Sequence, residues 1–195
     1  MIQVRFEDGK KAAEYLTELK NYRSLVRGLV EVAEADPDRV SALKTASATY
    51  SQPIRATAMT EDWCGDSACN LPVLAQLFAA ADIDFVVFHG SEYPELEKYY
   101  HDMDVDHIPV ISLWDGDGKE IGRFVEQPEA ITPLKNAWKS ERPEFMELYA
   151  KRETDSDAAR KFATMYRQLL EEMAGWYKDG KWQETTREVV EILQP

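Results

Sequence analysis

The segment that decides the fold is Glu61-Asp62-Trp63-Cys64-Gly65-Asp66-Ser67-Ala68-Cys69-Asn70-Leu71-Pro72. Cys64 is predicted to lie where a strand ends and a helix begins. Unpaired backbone N–H groups and the positive end of the helix dipole favour an anion there, so we expect the pKa of the Cys64 thiol to fall below about 8.5. Gly65 lets another chain approach closely, and Trp63 can shield the sulfur on one side. The segment therefore predicts a thiolate that attacks disulfides, peroxides or electrophilic carbon.

The residues around this segment predict a β-α-β unit. Residues 53–60 are partly β-branched and bounded by turn-forming residues, and residues 65–82 are apolar on much of a helical circumference. Residues 84–89 form the apolar run that is typical of a parallel strand buried on both faces. A strand, a helix and a strand within about forty residues make a unit whose crossover is right-handed.

A short helix and a β-hairpin are predicted next. Residues 94–103 begin with a proline at the first helical turn. Two strand-like runs, residues 108–114 and 119–125, flank Asp115-Gly116-Asp117-Gly118. Turn chemistry of this kind between two strands is a strong hairpin signal.

Both ends of the chain are predicted to be helical. In residues 9–50 apolar side chains recur at the spacing of one helix face, and Asp36-Pro37-Asp38 ends this run and can start a short helix. In residues 130–195, Ser156 or Asp157 can cap a helix that Gly180 breaks. We expect a single domain with an N-terminal helical extension, a core and a C-terminal helical extension at residues 1–50, 51–127 and 128–195.

The composition narrows the classes of function. Of the 195 residues, 44% are hydrophobic and 30% are charged, as in an ordinary globular protein. Acidic residues outnumber basic ones by 36 to 23, and the net charge of −13 argues against binding to nucleic acid or to an anionic membrane. We find no pattern of a signal peptide, and the two cysteines do not make a disulfide framework. We therefore expect a cytoplasmic protein.

The cysteine segment and its surroundings resemble the thioredoxin superfamily. The resemblance rests on Trp63-Cys64-Gly65 after a strand, on Pro72 in the helix and on the Ile108-Pro109 step that opens the hairpin. It spans about residues 50–127 and implies an α/β thioredoxin-like fold with a mixed sheet. It also implies that the Ile108–Pro109 bond is cis, that Pro109 lies against Cys64, and that the backbone of Ile108 pairs with bound substrate.

The chain departs from the family's usual C-x-x-C motif, because Ser67 stands where the second cysteine would be. A serine can donate a hydrogen bond to the thiolate of Cys64 but cannot resolve a mixed disulfide. Along a helix the Cα atoms of Cys64 and Cys69 would lie about 8–9 Å apart, beyond the limit of about 7 Å for a disulfide without backbone movement. Cys69 can therefore act as a resolving thiol only if the first helical turn unwinds, and is otherwise a small buried hydrophobe.

Two more positions differ from the family. Ala58 stands where dithiol thioredoxins carry a buried acid that assists proton transfer. Asp66 replaces the family's common proline, and its carboxylate suits a helix N-terminus but raises the pKa of the Cys64 thiol. The two effects are similar in size, so the sequence leaves open which one dominates.

A cluster of histidine and aspartate, residues 101–107, resembles a metal site. An EF-hand loop that started at Asp102 would need Gly at its sixth position and Glu at its twelfth, where the chain has His107 and Leu113. This excludes calcium binding of that type. His107 either lies near Cys64, where an imidazolium would stabilise the thiolate, or lies in a solvated loop, or binds another metal.

The leading interpretation is a thioredoxin-like thiol–disulfide oxidoreductase of the monothiol, C-x-x-S type. Its partners would be protein or low-molecular-weight thiols and disulfides, with no metal and no cofactor. Cys64 attacks, and Ser67 and the helix N-terminus stabilise the thiolate. The candidate catalytic residues are Cys64, Ser67 and Cys69, and the candidate substrate-binding residues are Trp63, Gly65, Ile108 and Pro109.

Two alternatives remain open. In the first, Cys64 is an idle thiol and the chain is a redox-inactive binding module that uses the groove beside Pro109. In the second, Cys-Gly-Asp-Ser corresponds to the Cys-Gly-x-Ser pattern of monothiol glutaredoxins, which use one cysteine with glutathione to hold an iron–sulfur cluster. The tryptophan before Cys64 and the proline at position 72 favour the thioredoxin side of the superfamily.

Overall fold

A mixed sheet of five strands forms the centre of the protein, in a computed structural model that describes residues 4–194. The strands are β1 (Lys10–Lys11), β2 (Arg55–Thr60), β3 (Asp84–His89), β4 (Val110–Trp114) and β5 (Glu120–Val125). Their order across the sheet is β1-β3-β2-β4-β5. The β2 and β3 strands are parallel, and the other neighbours are antiparallel. The expected α/β thioredoxin-like fold is confirmed.

Helices cover both faces of the sheet and make up most of the two ends of the chain. The helices of the described residues are α1 (Ala12–Glu18), α2 (Arg23–Val30), α3 (Pro37–Ser47), α4 (Gly65–Ala80), α5 (Pro94–His101), α6 (Thr132–Ser140), α7 (Glu144–Lys151), α8 (Ser156–Trp176) and α9 (Trp182–Glu191). None of these helices combines the length and the apolar character that a membrane crossing requires.

The predicted β-α-β unit is formed by β2, α4 and β3. Helix α4 is apolar around most of its circumference because the sheet covers one side and the terminal helices cover the other. Leu71, Leu74, Leu77 and Phe78 of α4 are all fully buried in the larger hydrophobic cluster. A smaller cluster, which includes Trp114, forms a separate core. Helix α4 is thus packed on all sides by the core, and Cys64 at its start is buried as well.

The N-terminal stretch is not entirely helical. Lys10 and Lys11 form β1 and pair with Val87 and Val86 of β3. The predicted helical run also breaks between α1 and α2, where Tyr22 has a φ of +54°. The N-terminal stretch therefore contributes a strand to the sheet, which its helical periodicity does not indicate.

The C-terminal helices pack back on the core, as their apolar spacing predicts. The cap of α8 is Asp155, whose side chain accepts hydrogen bonds from the backbone nitrogens of Asp157 and Ala158, so the predicted cap at Ser156 or Asp157 is wrong by one or two residues. Asp155 has the extended backbone that a capping residue needs. Gly180, with a φ of +111°, separates α8 from α9 as predicted.

Candidate functional site

Cys64 is the N-cap residue of α4, directly after the loop that follows β2. Its thiol donates a hydrogen bond to the backbone oxygen of Ile108 at 3.3 Å. The backbone N–H of Ser67 donates to the Cys64 sulfur at 3.5 Å. The sulfur therefore lies between the start of α4 and the loop before β4.

The loop that faces Cys64 ends in a cis Ile108–Pro109 peptide bond. Pro109 is buried, and Ile108 is half-buried. The backbone oxygen of Pro109 accepts a hydrogen bond of 2.8 Å from the nitrogen of Glu126, just after β5. The hairpin thus fixes the loop against the sulfur.

The Cys64 side chain is buried, because the residue is only 5% exposed. Burial raises the pKa of its thiol above the ordinary value, and the nearby Asp66 carboxylate raises it further. Hydrogen bonds from Ser67 act in the opposite direction but do not outweigh these effects. The expected lowering of the thiol pKa by the helix N-terminus is therefore wrong. Burial destabilises the thiolate more than the hydrogen bonds at the start of α4 stabilise it.

The close approach expected at Gly65 is made by α8 of this same chain. The backbone N–H of Gly65 donates to the hydroxyl oxygen of Tyr166 at 3.2 Å. A Cβ atom at position 65 would lie 2.1 Å from Cδ2 of Leu170 and 2.8 Å from the Tyr166 hydroxyl. These two side chains of α8 form a cover over the start of α4, which we call the α8 cover.

Trp63 lies at the surface beside the thiol. Its side chain is largely in solvent, at 59% exposure. Its backbone oxygen accepts a hydrogen bond of 3.2 Å from the hydroxyl of Tyr22, and the ring of Tyr22 lies 6.3 Å from that of Tyr166. The Trp63 indole thus faces solvent, while its backbone oxygen is hydrogen-bonded by the N-terminal part of the chain.

Ser67 and Cys69 both point away from solvent. Ser67 is 1% exposed, and its hydroxyl pairs with the hydroxyl of Thr60. Cys69 is fully buried in the core, and burial raises the pKa of its thiol well above the ordinary value. Both cysteines are free thiols. Ser67 contacts the Cys64 sulfur through its backbone N–H. Cys69 lies among apolar side chains, and its role as a resolving thiol stays a prediction.

A buried ion triad lies next to the thiol. The ammonium of Lys135, from α6, lies 3.1 Å from the Asp66 carboxylate and 3.0 Å from that of Glu126. Burial raises the pKa of the Asp66 carboxyl, and Lys135 counteracts this rise. The Asp66 carboxylate, for which the sequence indicates no partner, is therefore paired with the ammonium of Lys135.

The cluster at residues 101–107 does not form a site in the structure. His107 is exposed, and the hydrogen bonds of the Cys64 sulfur go to Ile108 and Ser67 instead. Within residues 4–194, no group of three or more His, Cys, Asp or Glu side chains is arranged to hold a metal ion.

Sequence reasoning missed the α8 cover and the ion triad. Tyr166 and Leu170 appear in the sequence as members of an apolar helix face, which gives no sign of the particular residue they contact. Lys135 follows Asp66 by 69 residues and resembles any surface lysine of an amphipathic helix. Such pairs arise from tertiary packing, and a single sequence carries no local signal for them.

Comparison with known proteins supports the fold. A family model described as thioredoxin matches residues 9–142. No curated protein matches the chain. A solved protein of unknown function from Pseudomonas aeruginosa is similar in structure, with a TM-score of 0.58, 17% sequence identity, and coverage of 97% of this chain and 94% of that one. An HIV epitope-scaffold has a TM-score of 0.61 at 15% identity, with the same coverage. At these identities the likeness shows the fold.

Proposed function

The chain belongs to the thioredoxin family, and from this premise we propose that it is a thiol–disulfide oxidoreductase of the monothiol type with Cys64 as its nucleophile. One observation carries the proposal. The Cys64 sulfur is the N-cap of α4 and lies 3.3 Å from the backbone oxygen of Ile108. A sulfur in this place has a helix N-terminus on one side and a backbone edge for an incoming chain on the other.

The proposed reaction is an exchange in two steps. The Cys64 thiol loses its proton to solvent, and the thiolate attacks one sulfur of a substrate disulfide. The substrate S–S bond breaks, a bond between Cys64 and that sulfur forms, and the second substrate thiolate leaves and takes up a proton. A second thiol then loses its proton to solvent, and its thiolate attacks the substrate sulfur of the mixed disulfide. A new disulfide forms, the bond to Cys64 breaks, and the Cys64 thiolate leaves and takes up a proton.

The resolving thiol is proposed to come from a second molecule. Ser67 carries no sulfur, and Cys69 is fully buried in the core. The proposed substrates are therefore protein or low-molecular-weight disulfides, and the proposed reductants are thiols of the same classes. Trp63 and the backbone of Ile108 are proposed to contact the substrate, and the Ser67 amide to stabilise the thiolate.

An aromatic disulfide that releases a coloured thiolate tests the proposal. With the folded Cys69→Ser variant we expect the release of one equivalent of coloured thiolate. The mass of the protein should then show a mixed disulfide at Cys64. The matched Cys64→Ser variant should release none while it stays folded. If the folded Cys69→Ser variant also releases no coloured thiolate, and reacts only after it is unfolded, the oxidoreductase proposal is wrong.

A second function is favoured by the burial of the thiol. Cys64 is 5% exposed and its pKa is raised, which suits a redox-inactive binding module that uses the groove beside Pro109. In that case Cys64→Ser keeps its partners in an affinity pull-down. Under the oxidoreductase proposal, partners held through a disulfide appear with Cys69→Ser, are released by reductant, and are absent with Cys64→Ser.

A further inference from the structure

Lys135 is a buried cation that the exchange steps above do not use. The residue is 8% exposed, although it lies on an amphipathic helix with solvent on its other side. Its ammonium donates to both carboxylate oxygens of Asp66, at 3.2 and 3.1 Å, and to Glu126 at 3.0 Å. A buried ammonium without a partner would be costly, and these two carboxylates supply the partners.

The two carboxylates that Lys135 joins belong to the two sides of the candidate site. Asp66 lies in the first turn of α4, two residues after Cys64. Glu126 has a φ of +62°, and its backbone nitrogen donates to the oxygen of Pro109 at 2.8 Å. Its backbone oxygen accepts from the side chain of Asn70, also on α4. Lys135 therefore ties the helix that carries the thiol to the loop that faces it.

We propose that Lys135 is a positioning residue for disulfide exchange at Cys64: its contacts with Asp66 and Glu126 fix the start of α4 relative to the loop that carries Pro109. This inference rests on the proposed function. Lys135 acts through Asp66 and Glu126, and it does not contact the sulfur in the structure.

The loss of Lys135 should change the pKa of the Asp66 carboxyl in a direction that can be measured. Burial raises the pKa of the Asp66 carboxyl, Lys135 lowers it and Glu126 raises it, and the pKa stays above its ordinary value. Without Lys135, the Asp66 carboxylate would face the half-buried Glu126 carboxylate with no cation in contact, and the pKa of the Asp66 carboxyl would rise further. The ionised Asp66 carboxylate in turn raises the pKa of the Cys64 thiol. Removal of Lys135 would therefore place a second titrating group beside the sulfur.

The other charged and titratable groups that face Asp66 come from several elements. They are Lys139 from α6, Tyr166 from α8, Tyr177 after α8, and the thiols of Cys64 and Cys69 on α4. Lys139 lowers the pKa of Asp66 without a hydrogen bond to it. Burial keeps both tyrosines neutral by raising their pKa values. Lys135 is thus the cation that contacts Asp66 directly.

The first experiment is the pH profile of the alkylation rate of Cys64, measured in the Cys69→Ser background. We expect one inflection with Lys135 in place. In Lys135→Met we expect a second inflection above the ordinary carboxyl range, because the pKa of the Asp66 carboxyl rises further without its cation. Lys135→Arg should restore the single inflection, and Asp66→Asn combined with Lys135→Met should remove the second one. Lys139→Met, one helical turn away, is the matched control and should keep one inflection.

The second experiment follows the Asp66 carboxyl by carbon NMR and does not depend on the reactivity of Cys64. Glu126→Gln keeps Lys135 and should lower the pKa of Asp66, whereas Lys135→Met should raise it. If Lys135→Met does not fold, the downward shift in Glu126→Gln still tests the pairing. An Asp66 pKa that is unchanged in Glu126→Gln overturns the inference.

The two proposals fail in different ways. If Cys64 of the otherwise unchanged protein does not exchange with disulfides, the proposed function is wrong, and the role of Lys135 in exchange is wrong with it. If Cys64 exchanges normally and the Lys135→Met profile keeps one inflection, the inference about Lys135 alone is overturned.

Discussion

The hydroxyl oxygen of Tyr166 lies 3.2 Å from the backbone nitrogen of Gly65, a residue 101 positions earlier in the chain. Helix starts leave their first N–H groups without partners, and here a side chain of α8 supplies one. Tyr166 lies outside residues 9–142, which the thioredoxin family model matches. The surroundings of Cys64 are therefore built partly by a helix beyond that match.

Gly65→Ala should destabilise the protein because the new methyl group has no room. It would lie 2.1 Å from Leu170, which is buried and cannot swing away. We expect the free energy of unfolding in urea to fall by about 1–3 kcal/mol, the usual cost of overpacking. Gly175→Ala is the control, because a Cβ there meets nothing within 4 Å. This change, in the last turn of α8, should stabilise by at most about 0.5–1 kcal/mol. Equal effects at both positions would argue against the α8 cover.

Tyr166→Phe should free the Gly65 amide while keeping the ring that stacks on Phe162 at 5.6 Å. We expect a loss of about 0.5–1.5 kcal/mol in the free energy of unfolding, the net contribution of one hydrogen bond. Hydrogen exchange at the Gly65 amide should become faster. Tyr149→Phe, which changes an exposed tyrosine that also packs on Phe162, should leave both measurements unchanged. An unaltered exchange rate at Gly65 in Tyr166→Phe would contradict this contact.

Trp182→Phe should destabilise the protein through the carbonyl of Cys69. The indole N–H of Trp182 donates to that buried oxygen at 2.8 Å, in the turn of α4 before Pro72. A phenyl ring cannot donate, so we expect the free energy of unfolding to fall by about 1–3 kcal/mol, the cost of a buried polar group without a partner. The matched change at the exposed Trp63 should cost less than about 0.5 kcal/mol. Comparable losses at the two tryptophans would refute this reasoning.

Asp84→Asn should show a pH-dependent effect on stability. Burial raises the pKa of the Asp84 carboxyl, but hydrogen bonds from Lys11 and Arg55 outweigh burial, so the folded-state pKa is below the ordinary value. A depressed carboxyl pKa stabilises the fold above the unfolded-state pKa, and this stabilisation is lost as the pH falls through the folded-state value. The difference in unfolding free energy between Asp84→Asn and the parent should therefore be largest near neutral pH and should shrink below about pH 4. A difference that is constant with pH would show that the two cations do not act on Asp84.

Elements with a strong apolar period could be predicted from the sequence. The apolar run at residues 84–89 is β3, with the same bounds, because a strand buried on both faces needs such a run. The hairpin strands begin two residues and one residue later than predicted, at Val110 and Glu120. The predicted helix at residues 94–103 ends at His101. Ends of elements depend on local hydrogen bonds that periodicity does not describe.

The β1 strand could not be predicted from its residues. Two lysines carry no strand pattern, and they extend only because the edge of β3 offers hydrogen bonds to Val86 and Val87. The preference of single residues is overridden here by the sheet beside them.

At the candidate site, the place of Cys64 in the fold could be predicted from the sequence, but the residues that surround it could not. The change of period predicts that Cys64 lies at the start of a helix, and it is the N-cap residue of α4. The direction of its pKa shift depends on how much solvent the folded chain removes, which residues distant in sequence decide. The same holds for Asp66, whose partner Lys135 is 69 residues away.

The two lysines of β1 have a consequence for self-association. Their strand is the outer edge of the sheet, next to β3, and both side chains are exposed. If a strand of another molecule paired with this edge, the new interface would enclose the ammonium groups of Lys10 and Lys11. These groups now pair with Glu18 and Asp84. Short, charged edges of this kind discourage edge-to-edge aggregation, so the sheet resists growth in that direction.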